Sequence, residues 1–166
     1  MYLKKNSLSK LIVLVLLPLV IGFIIEKLLT SGTIEDNQLY LSLGSIMLSI
    51  WIYGSGIVYW FYVGRVFSRL NMSSIRSFIL GNIVWGISIS LYFWQSSLLD
   101  NASKSSFIVG LSEAYPMAFM NLGVFISSIF ANNSGNSIIL ISYVLMFIIF
   151  SLGFISTLCR KSLNTN

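Results

Sequence analysis

Histidine is absent from this 166-residue chain, and cysteine occurs once, at Cys159. The first absence removes the commonest metal ligand and the commonest general base near neutral pH. The second excludes an internal disulfide. Charge is scarce too: charged residues make up 9% of the chain, about a third of what a soluble domain carries. The acidic residues are five, Glu26, Glu35, Asp36, Asp100 and Glu113. No Cys-x-x-Cys, His-Glu-x-x-His, Gly-x-Ser-x-Gly or Walker pattern occurs. The reading is of a non-enzyme, with no catalytic residue, cofactor or metal site expected.

What the chain has in quantity is apolar sequence, with 56% hydrophobic residues and a mean hydropathy of +0.87. This is the composition of an integral membrane protein. The expected fold is all-α: one polytopic helical bundle over residues 1–166, with spans at 11–29, 39–63, 75–95 and 138–158. A further apolar segment at 114–131 is short for a span and carries Pro116 near its start. It either crosses as a fifth span or enters and returns on one side.

The net charge of +5 is distributed as membrane threading requires, so no nucleic-acid partner is expected. Arg65, Arg69 and Arg76 lie in a hinge, Gly64–Arg76, that holds no acid and has long apolar runs on both sides. Cationic loops stay on the cytoplasmic side, and these arginines can also meet anionic lipid headgroups. The N-terminus, with Lys4, Lys5 and Lys10, then faces the cytoplasm. An even number of crossings brings Arg160 and Lys161 to the same side and leaves every acid outside. Richness in Ile, Asn, Lys and Ser, with short loops, reads as a bacterial plasma or inner membrane protein.

Three groups of residues are candidates for function. Asn82, Gly86 and Ser90 recur at intervals that line one helix face, and Ser42, Ser45, Ser49 and Gly56, with Gly54 and Ser55 adjacent, form a comparable small face on the second span. Small residues let membrane helices approach closely, so these faces are expected to pack spans two and three together or to meet a ligand or partner. Glu113 precedes the fourth apolar segment and Asn121 lies within it, and a carboxylate inside the membrane is costly unless used. Arg65, Arg69 and Arg76 form the third group. The first expected function is an accessory, regulatory or immunity-type subunit that packs against another membrane protein. The alternative is a small transporter or solute-binding subunit with a polar cavity lined by Gly54–Gly56, Asn82, Asn121 and Glu113.

Overall fold

The computed structural model describes residues 5–34, 37–51, 55–100, 103–130 and 134–163. Among them there is no strand. The helices are α1 (Lys5–Ile34), α2 (Gln38–Ile50), α3 (Gly56–Ser68), α4 (Ser74–Phe93), α5 (Ser106–Ala114), α6 (Met120–Ile129) and α7 (Gly135–Leu163). Three segments are long and apolar enough to cross a membrane: Ser9–Ile34, Ser74–Ser96 and Gly135–Arg160. A fourth arises if Ser106–Ala114 and Met117–Ile129, bent by 55° at their junction, count as one.

The expected boundaries shift for local reasons. The first helix does not stop at residue 29 but runs to Ile34, so Glu26 has two further helical turns beyond it. Its last turn keeps its polar atoms satisfied within the helix, with the Thr33 hydroxyl donating to the Thr30 carbonyl at 2.8 Å. Asn37 opens the next helix: its Oδ1 accepts from the backbone of Leu39 at 3.1 Å and of Tyr40 at 3.4 Å, as an N-cap does. Gly32 lets α2 fold back tightly on α1, since a Cβ there would lie 2.7 Å from Leu41 Cγ.

The second expected span, 39–63, is described as two helices, α2 and α3, with residues 52–54 between them outside the described residues. Trp51 and Ser55 have π geometry, and the Ser55 hydroxyl donates to the Ile50 carbonyl at 2.8 Å. Gly54 lies outside the described residues. The expected pairing of spans two and three through their small faces is also corrected. The closest partner of α3 is α7, where Gly64 sits against the Phe150 carbonyl and Gly153 against the Phe61 carbonyl. Two glycines in register let the backbones touch, which in lipid counts for more than apolar burial.

The fourth apolar segment begins at Ser106 rather than 114 and bends at residues 115–119. Pro116 explains the bend, having no N–H to continue α5. The helix of the last span starts at Gly135, and Ser134 rather than Ser137 caps it, accepting from the Ser137 backbone at 3.2 Å.

A chain of aromatic rings forms the core between α3, α4 and α7. Trp60 meets Phe150 with ring centroids 6.4 Å apart, and Phe78 meets Phe154 at 5.3 Å. Each such pair adds about 0.5–1.5 kcal/mol beyond its burial. Trp60 is 1% exposed, so it belongs to this core and not to the interfacial belt its nearness to Arg65 suggests; Tyr62 does face outward. Leu11 lines a crevice with Phe67, while Phe154 packs on Phe78. These contacts gather Lys10, Arg65, Arg69, Arg76 and Arg160 toward one end of the bundle. At the other end the Tyr92 hydroxyl donates to Asn136 Oδ1 at 3.0 Å, joining the end of α4 to the start of α7.

Candidate functional site

Three irregular stretches of backbone meet inside the bundle. Pro18 in α1 has no N–H, so the Leu14 carbonyl one turn earlier loses its helical donor. The Tyr59 hydroxyl of α3 replaces that donor by hydrogen-bonding to Leu14 O. The Tyr115 hydroxyl, from the bend after α5, donates to the neighbouring Val15 carbonyl at 3.4 Å. Gly22 lies against the Ala114 carbonyl, and Gly56, just past the π turn, lies against Ala118. The Trp60 and Tyr115 rings close the junction, 5.7 Å apart. The indole N–H groups of Trp51 and Trp60 have no partner there among the described residues.

Toward the acidic end lies a polar chamber of about 110 Å³, lined by Tyr92, Gln95, Lys104, Val109, Glu113 and Asn136. A second π turn, Trp94–Leu98, widens the end of α4 and carries Gln95 inward, where it is 2% exposed. Gln95 Oε1 accepts from the Ser105 backbone at 2.9 Å, tying the loop before α5 to α4. The amide Nε2 is the group left to face the chamber. Two turns along α7 from Asn136, Tyr143 braces the same region. Its hydroxyl donates to the Ser112 carbonyl at 2.6 Å and accepts from Ser88 at 2.6 Å, while Trp85 Nε1 donates to the Tyr143 carbonyl at 3.0 Å.

Behind Glu113, a second carboxylate reaches α5. Glu26 rests against Gly110, where a Cβ would lie 2.6 Å from Glu26 Oε1, about one turn of α5 from Glu113. Glu26 Oε2 is buried and has no hydrogen-bond partner among the described residues. Lys27 is not the counter-charge its position in sequence suggests. Its ammonium lies over the Phe23 ring, 5.3 Å from the centroid, a cation–π arrangement.

Of the candidate residues, Glu113 and Gly56 fall in this region. Asn121 does not: it is exposed on α6. Asn82, Gly86 and Ser90 line an open groove on the outside of α4, and a Cβ on Gly86 would meet nothing within 4 Å. They are neither cavity lining nor a packing face of this bundle. Asn82 Nδ2 donates to the Phe78 carbonyl at 2.9 Å and the Ser90 hydroxyl to the Gly86 carbonyl at 2.7 Å, so both polar groups are satisfied within their own helix. Arg69 and Arg76 are exposed at the hinge and Arg65 is half-buried.

Sequence reasoning missed Tyr59, Tyr115, Tyr92, Gln95 and Asn136. Pro18 was the available signal for the tyrosines, because a proline within a span calls for a distant donor. Nothing local singles out Gln95 or Asn136. Among the described residues no three metal-ligating side chains come together. Comparison with protein-family profiles, curated proteins and solved structures finds no match to this chain.

Proposed function

We propose that this chain is a small, non-catalytic, multi-pass membrane protein that binds a solute in the polar chamber, as a transporter or solute-binding subunit would. The observation that carries the reading is the contact of Gly56, at the start of α3, with Ala118, in the bend that joins α5 to α6. Irregular backbone at membrane depth persists where protein buries it or where it lines a cavity. A broken helix packed against another span is a common way to build a binding site there. The polar chamber and Glu113 lie on the acidic side of this junction.

The threading that goes with this reading has four crossings: α1, α2–α3, α4 and α7. The pair α5–α6 enters and leaves at the acidic end, because the Tyr92–Asn136 bond holds the end of α4 beside the start of α7. The cationic end faces the cytoplasm of a cell whose plasma or inner membrane holds the protein, by the positive-inside rule.

Cysteine labelling tests the chamber. In a Cys159→Ser background, Glu113→Cys and Gln95→Cys should react with a membrane-impermeant thiol reagent added from the acidic side, while Gly56→Cys reacts slowly. Complete protection of both chamber positions would remove the solute-binding reading.

One further observation favours a second reading, the accessory subunit. Gly86 has open space beside it on the outward face of α4, with Asn82 and Ser90 along the same groove, so a partner's helix can approach closely there. Extraction in mild detergent should then yield a stoichiometric larger complex, and Gly86→Leu should dissociate it. Recovery of the wild-type chain alone would count against this reading.

A further inference from the structure

We infer that the chamber selects a small primary amine carrying an acceptor oxygen, the class to which glycine belongs. The inference rests on the solute-binding reading above and names the chemistry of the solute. Size comes first. A chamber of about 110 Å³ is several times the roughly 10–15 Å³ that one water needs. It suits a solute of a handful of non-hydrogen atoms.

Polarity comes next. The lining carries both signs: the carboxylate of Glu113, with Glu26 near it on α1 holding a buried, unpartnered oxygen, and the ammonium of Lys104. A zwitterionic solute matches such a lining, its ammonium toward the carboxylates and its oxygens toward the donors. Two amides are among those donors. Gln95, almost wholly buried, has Oε1 engaged by Ser105 and presents Nε2. Asn136, exposed at the mouth of the chamber, has Oδ1 engaged by Tyr92. With both oxygens engaged, the amide nitrogens are the groups left to donate, and an acceptor oxygen on the solute would meet them. Val109 supplies the apolar wall between them. A simple metal cation would satisfy Glu113 and leave the amide donors unused. An inorganic anion would use the donors on the Lys104 side and leave Glu113 with no cationic group of the solute.

Gln95→Glu is the sharp variant. It keeps an oxygen for Ser105 and replaces the donor facing the solute with a second acceptor. The test is calorimetric titration of the purified full-length chain in detergent with glycine, methylammonium and acetate in turn. Glycine should bind saturably, with each fragment weaker by about tenfold or more. Glu113→Gln should weaken glycine by about tenfold. Gln95→Glu should weaken glycine similarly while methylammonium binding holds or tightens. The inference is overturned if glycine binds no tighter than its fragments, or if Glu113→Gln binds it like the wild type. It is overturned equally if none of the three binds. Thermal unfolding of each variant separates lost binding from lost folding. Because this readout is independent of thiol labelling, a labelled Glu113→Cys with no glycine binding would sink the solute class and leave the chamber reading in place.

Discussion

At Gly64 and Gly153 the chain has no room for a side chain, because α3 and α7 touch through their backbones. A valine at Gly153 would drive its Cβ into the Phe61 carbonyl, and the helices would have to separate. Overpacking of this kind costs about 1–3 kcal/mol. Gly86 is the control within the same protein, since a Cβ there meets nothing within 4 Å. Relieved of its backbone freedom, Gly86→Ala should instead stabilise by about 0.5–1 kcal/mol. Thermal or SDS unfolding in detergent should move in opposite directions for the two variants. Equal responses would show that the α3–α7 contact is not what holds these helices.

Among the elements, α1 depends on α3 to complete its own hydrogen bonding. Pro18 is fully buried and leaves the Leu14 carbonyl without its helical donor, and Tyr59 supplies one. Removing the hydroxyl in Tyr59→Phe should cost about 1–2 kcal/mol, within the range for membrane hydrogen bonds and buried unpaired groups. In a Pro18→Ala background the backbone N–H returns, and the same change should cost almost nothing. A double-mutant cycle measures the difference directly. Additive effects would mean that proline and tyrosine are unrelated neighbours. The same logic explains why α5 bends where it does. Pro116 stops the helix, and the freed segment is held by Tyr115 on α1, by Ala118 on Gly56 and by Tyr143 on the Ser112 carbonyl.

For the whole molecule, the sorting of charge fixes which end is which. Lys10, Arg65, Arg69, Arg76 and Arg160 lie toward one end, while Asp100 follows the π turn at the other, near Gln95. A reporter fused after Asn166 should therefore report the same side as one fused at the N-terminus. A cysteine replacing Arg69 should be labelled from that side alone. Termini on opposite faces would make α5–α6 a full crossing and overturn the four-crossing reading. The aromatic core between α3, α4 and α7 should remain intact in either case, since its contacts do not involve α5 or α6.

Much of this arrangement was legible in the residue string. Long apolar runs favour helices in lipid, where every backbone group must find a partner nearby, and the structure is helical with three segments long and apolar enough to cross. Glu113 was marked as costly by its apolar setting alone. Only the folded chain decided that Glu26 lies against Gly110, that Gln95 and Asn136 join Glu113 around one chamber, and that Asn82, Gly86 and Ser90 face away from it. The physical reason is that hydropathy and charge act on each segment separately, whereas helix rotation and partner choice depend on which glycines and freed carbonyls come into register across the bundle.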